Sequence, residues 1–219
     1  EIYSEETLFN AFKSFSWRES DFALAMAKRK NLESSCPKVS ANSEQVVSFF
    51  SDVNHWGFGR NLPHSLTNNG AFQISATRLL SAWRGRIDSE KKDSMAQILE
   101  FKGLGIATVS KFTAMIDPEY AAIYDSRVTA TLNPLLTNGV RTFPIVGRRP
   151  VKNKQYFKAD ITTSLKSKRF ELVEKYMLYL DMLTSVRRMI TSFSSNSEIE
   201  IALFMLGRDI QDSSSRPRK

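Results

Sequence analysis

Cysteine and histidine are almost missing from this chain. Cys36 is the one cysteine, and His55 and His64 are the two histidines, among 219 residues. A single thiol closes no internal disulfide, and three such ligands are too few for an ordinary zinc site or an iron–sulfur cluster. The expectation is no metal, no cofactor, and a reducing, cytoplasmic setting, associated with the nucleoid if the chain is bacterial. Long apolar runs are missing too. None approaches the roughly 18 residues that cross a bilayer, and no basic-then-apolar leader is recognisable, so no membrane partner is expected. Strand-type alternation and internal repeats are also lacking. That leaves an all-α reading.

Hydrophobic residues make up 42% of the chain, enough for one substantial core or two small lobes sharing a cleft. A single α-helical domain is expected over residues 1–210, as a monomer, followed by a Ser- and Arg-rich tail, Gln211–Lys219, predicted to be disordered. The net charge of +8 is unevenly placed. Residues 141–169 hold nine basic side chains, Arg148, Arg149, Lys152 and Lys154 among them, and one acidic one; elsewhere the signs balance. Such a block is an electrostatic footprint for a polyanion, here DNA, or else a solvated loop that aids solubility.

Apolar spacing predicts the helices. Glu5–Lys30 reads as helix in two pieces around Phe15–Trp17, with Leu8, Phe9, Phe12 and Phe15 on one face and Phe22, Leu24, Ala25 and Met26 continuing it. Asn31–Ser43 reads as a loop. Ser43 caps a short helix, Glu44–Asp52, that turns Val46, Val47, Phe49 and Phe50 inward. Val53–Gly70, rich in Gly and Pro, reads as an irregular loop. Further helices are expected over Phe72–Trp83, over Ser89–Phe101 (Met95, Ile98 and Leu99 in; Lys91, Lys92 and Asp93 out), over Ile106–Met115, and over Ser126–Leu132, closed by Pro134. Thr137–Thr163 reads as a long binding loop. Lys168–Phe193 is the longest helical pattern, its inward positions running from Phe170 to Val186, and Glu198–Leu206 ends at Gly207.

The segment Phe101–Leu132 carries the strongest functional signal. Gly103 and Gly105 flank Leu104 between two helices, a turn that needs positive φ at one or both glycines. Leu104 is expected to pack down between the helices. The first turn after it offers the N–H groups of Ile106, Ala107 and Thr108, and the helix dipole adds positive charge there. A phosphate suits such a place, as does an ordinary helix–Gly–helix corner. Twenty residues after the hairpin, Asp125 precedes Ser126-Arg127-Val128. Aspartate is a favoured N-cap, and its fixed negative charge also suits a developing oxocarbenium ion or the orientation of an attacking water.

These residues, KGLG and IYDSRV at this separation, resemble the helix-hairpin-helix superfamily of DNA glycosylases, most closely bacterial proteins similar to 8-oxoguanine DNA glycosylases. EIEIALFMLGR (Glu198–Arg208) is similar to that subgroup too. The resemblance implies two helical lobes flanking a cleft and a nucleotide flipped out of DNA. It also implies hydrolysis of the N-glycosidic bond, with Asp125 in the catalytic position. Lys102, Gly103, Gly105, Ala107, Thr108 and Arg127 join the basic block as DNA-binding candidates, Arg127 facing either Asp125 or a phosphate. The chain departs from the family at Ala107, where strand-cutting members carry lysine. The implied enzyme is therefore monofunctional and uses water. Lys111, one turn on, either reaches back into the cleft or faces phosphate and solvent. For the base pocket the candidates are His55, Trp56, Phe58, Arg60 and Tyr124, against the alternative that the aromatics plug the core; Asn68-Asn69-Gly70 either fills the gap left by the base or is a plain turn. A non-catalytic DNA-binding module and a helical protein-interaction domain are the rival readings. Neither the excised base, nor a role in lesion repair as against attack on modified invader DNA, is written in the sequence.

Overall fold

The structure is a computed structural model that describes residues 4–16, 21–85, 88–135 and 165–213. Those residues are helical, with no strand among them. The helices are α1 (Glu5–Lys13), α2 (Phe22–Ser34), α3 (Ser43–Phe58), α4 (His64–Thr67), α5 (Gly70–Gly85), α6 (Asp88–Ile98), α7 (Ile106–Ile116), α8 (Ser126–Leu135), α9 (Leu165–Met189) and α10 (Asn196–Ser213). Short polar side chains start several of them. Ser4 accepts from the Thr7 N–H, and Asp21 accepts from the N–H groups of Ala23 and Leu24. Asn42 and Gln45 form a reciprocal capping box.

Helix α7 is the centre of the molecule. Ile106 and every residue from Thr108 to Ile116 are buried. Helices α3, α5 and α2 cover it on one side and α9 on another, while α10 packs on α8 and α1. Phe112 stacks on Phe50 of α3, ring centroids 4.3 Å apart and planes 9° from parallel. Each such fully buried ring contributes about 2–3 kcal/mol from area alone.

Several boundaries and faces differ from the sequence expectation, and each has a local cause. Helix α2 runs on to Ser34, and Leu24 lies on its outer side, half exposed. Asn42, not Ser43, caps α3, because Gln45 completes the box only from that position. Helix α3 continues through His55-Trp56-Gly57-Phe58, which reads as loop in the sequence; Gly59, with φ 73°, ends it in the left-handed region. Asn68-Asn69-Gly70 is a helix start, where the Asn69 side-chain carbonyl accepts from the Phe72 N–H. Lys91 turns inward over Trp83 and Tyr120, 5.2 and 4.6 Å from their ring centres, with Asp88 at 3.4 Å. Pro134 lies inside the last turn of α8, where a missing N–H costs one bond instead of stopping the helix. Phe170 is half exposed, whereas Val173, Met177, Leu180 and Leu183 are buried as expected. Trp17, most of the basic block and the end of the tail lie outside the described residues.

Gly207 is not a helix end. It sits inside α10 where α8 crosses, and a Cβ there would fall 2.1 Å from the Arg127 carbonyl oxygen. Thr131 of α8 seals the crossing by donating to the Leu203 carbonyl at 2.7 Å. The two backbones touch because the side chain is missing.

Candidate active site

The hairpin has the geometry that its glycines suggest, with one difference. Gly103 alone takes positive φ, 93°; Gly105 is extended at φ −120° and serves as N-cap of α7 without a side-chain bond. Leu104 packs against the core as expected. Lys102, Gly103 and Gly105 are exposed. Thr108 turns its N–H back to the Gly105 carbonyl at 2.9 Å and is buried, so the donors left at the mouth of α7 are those of Ile106 and Ala107.

The chain then returns from α7 to Asp125 through Ala121–Tyr124, and this stretch is pinned from both sides. Ser110 of α7 accepts from the Tyr124 N–H at 3.0 Å. From α9, Tyr176 donates to the Ala122 carbonyl at 2.9 Å and Tyr179 to the Ile123 carbonyl at 3.1 Å. Tyr124 is fully buried against both tyrosines, with its hydroxyl pKa pushed well up by burial. It therefore packs behind the site instead of lining it. Asp125 caps α8: one carboxylate oxygen accepts from the N–H groups of Arg127 and Val128, at 2.9 and 3.1 Å. The residue is partly exposed. Arg127 directs its guanidinium over the Phe204 ring, 4.8 Å from the centre.

Asp125 opens on a small cavity of about 20 Å³. Phe15, Arg29, Trp56, Lys111, Ile123, Glu200 and Phe204 complete its wall. That volume admits about one water, given the ~10–15 Å³ a water centre needs, and no nucleobase. Of the candidate base-pocket residues, Trp56 lines the cavity and Phe58 stands at its edge over Lys111. His55 and Arg60 are exposed and outside the wall. On α3, a helical turn separates their directions, which a loop reading could not show.

Lys111 is not at the surface. It is 5% exposed, shares the cavity with Asp125, donates to the Ala107 carbonyl at 3.1 Å, and holds its ammonium 4.6 Å from the centre of the Phe58 ring. Gly57 makes room for it: a Cβ there would lie 2.6 Å from Lys111 Cδ and 2.9 Å from Cε. A glycine inside a helix costs about 0.5–1 kcal/mol, so its presence at this contact serves the lysine. Burial pushes the Lys111 pKa down, partly offset by the Asp125 and Glu200 carboxylates. The unfolded chain then binds this proton more tightly than the fold does, so stability gains as pH rises from the depressed folded value toward the ordinary lysine value of about 10.4. Lys111→Met is expected to be more stable than the parent near neutral pH, by a margin that shrinks as pH rises toward that limit. Urea denaturation at a series of pH values reads the difference; a pH-independent margin would mean that Lys111 is not desolvated.

Two members of the wall escape sequence reading. Arg29 of α2 is fully buried and donates to Glu200 at 2.8 Å and Ser197 at 2.5 Å on α10, and to Glu33 at 3.3 Å. Burial opposes its charge, yet the Glu200 and Glu33 carboxylates hold its pKa above the ordinary value. Glu200 had a visible signal: it is a lone charge among Ile199, Ile201 and Ala202, all buried. Arg29 sits in a Lys-Arg-Lys run and has none. No helix among the described residues is long and apolar enough to cross a membrane, and none of them form a cluster of metal-ligating side chains. No family model, curated protein or solved structure matches this chain.

Proposed function

We propose that this protein is a DNA glycosylase that flips a damaged or modified base out of the strand and releases it by hydrolysis. The observation that carries the reading is Asp125. Its carboxylate is fixed by two backbone N–H groups, faces a cavity with room for a water, and stands on the segment that follows the hairpin. In the reaction the base leaves with the glycosidic bonding pair, positive charge develops on the sugar, and the carboxylate stabilises it while water adds to C1′. Lys102, Gly103, Gly105 and the N–H groups of Ile106 and Ala107 hold the backbone; Arg148, Arg149, Lys152 and Lys154, outside the described residues, add charge. Trp56 and Phe58, on the last turn of α3, move aside to admit the base.

The test is incubation of the full chain with duplex DNA carrying a panel of base modifications, followed by alkaline cleavage at abasic sites and mass analysis of the released bases. Release of one class of base supports the reading; an unbroken panel overturns it. Charge reversal at Arg148, Arg149, Lys152 and Lys154 is expected to weaken DNA binding and to lower the salt slope by about 0.9 for each phosphate that is no longer neutralised. The small volume of the cavity favours one alternative, a DNA-binding module without chemistry. It predicts the same salt dependence with no base released.

A further inference from the structure

We propose that Lys111 is an amine nucleophile that captures the aldehyde of an abasic deoxyribose in the Asp125 cavity, giving the protein strand-cleaving activity. The inference rests on the DNA reading of this cavity but not on base release. Ala107 leaves the hairpin's first turn without an amine, and the cavity receives one from the next turn of the same helix.

The geometry sets Lys111 apart from a lysine buried by accident. Among the described residues it makes no ion pair within 4.0 Å, in contrast to Arg29 and Lys91, the other two buried cations. Its ammonium is held by one carbonyl and one aromatic face. A methionine would fill the same space without the cost of desolvating a charge. The chain nevertheless keeps the amine and places Gly57 where any side chain would strike its Cδ and Cε. Both costs fall on the group that faces the cavity with Asp125. Phe58, the ring over the amine, is 40% exposed and is followed directly by the left-handed Gly59. Rotation of that ring uncovers the amine from outside. Burial, which lowers the amine's affinity for a proton, increases the share of the neutral, nucleophilic form.

The chemistry balances without a redox partner. The neutral Nζ adds to the aldehyde carbon, C1′ of the ring-opened sugar. One proton is taken up and one water leaves, giving a protonated Schiff base. Loss of the C2′ proton to water then expels the 3′ phosphate, which departs with the C3′–O bonding pair. Hydrolysis of the imine returns the amine of Lys111.

The experiment uses the full chain and a duplex oligonucleotide with one preformed abasic site, reduced with borohydride. A covalent adduct is expected, mapping to Lys111 by peptide mass analysis, together with strand scission when borohydride is omitted. Lys111→Met and Lys111→Arg should both lose adduct and scission. The arginine variant keeps the charge, so its failure separates amine chemistry from electrostatic support. Gly57→Ala, which displaces the lysine chain and leaves its amine in the protein, should lower adduct yield. An adduct that survives Lys111→Met, one that maps to another amine, or the lack of any adduct from the parent overturns the proposal. The abasic substrate bypasses base release, so the two readings fail separately. Trapping at Lys111 with no base released from the modified panel sinks the glycosylase and keeps the amine. Base release that leaves an untrappable, unbroken strand does the opposite.

Discussion

Asp125→Asn is expected to lower base release at least about a hundredfold, roughly 3 kcal/mol of transition-state stabilisation, while melting temperature and DNA affinity stay close to those of the parent. The separation follows from the two tasks of this side chain. As a cap it needs only an oxygen that accepts from the Arg127 and Val128 N–H groups, and asparagine is as good a cap as aspartate. As an electrostatic group it needs the charge, which asparagine lacks. Asp125→Ala removes both, and should add a stability loss of about 1 kcal/mol to the same loss of activity. Single-turnover base release and thermal melting of the three proteins decide the matter. A fully active asparagine variant would sink the mechanism and leave Asp125 a cap.

Arg29→Met should destabilise the fold by about 3–5 kcal/mol at neutral pH, because it strands the Glu200 carboxylate inside the protein. Methionine fills much of the arginine's volume, so the loss reports the charge more than a void. For a domain of this size the melting temperature should fall by roughly 10 °C. The sign of the pH dependence follows. Without Arg29, burial makes Glu200 hold its proton more tightly in the fold than in the unfolded chain. The penalty is therefore slight below the unfolded carboxyl pKa and grows as pH rises through the folded one. Arg29→Met with Glu200→Gln should recover most of the loss, since glutamine still offers an oxygen to the Ile123 N–H, which donates to Glu200 in the parent. A single variant that melts with the parent would show that water reaches the pair.

Apolar spacing identified the buried faces of α3, α6 and α9 through Val46, Phe50, Met95, Ile98, Leu180 and Leu183, because each faces the core by its own helical register. Local chemistry also made the hairpin and the Asp125 cap legible. Illegible features depended on partners distant in the chain. Gly57 reads as a breaker until Lys111, more than fifty residues later, occupies the space it leaves. Gly207 reads as a helix end until α8 is laid across it. Lys91 reads as a surface charge until Trp83 and Tyr120 bracket it. The cavity itself draws on α2, α3, α7, α10 and the turn before α8, and no window of sequence contains it.

The α8–α10 crossing at Gly207 also sets an order of events. During vectorial synthesis the hairpin and Asp125 emerge well before α10 does. Until α10 arrives, the first turn of α8 has no surface to rest on, and Arg29 has neither Glu200 nor Ser197. The nascent protein thus exposes its phosphate-holding corner while its carboxylate still lacks a fixed address, and the reaction centre matures only when one of the last helices docks.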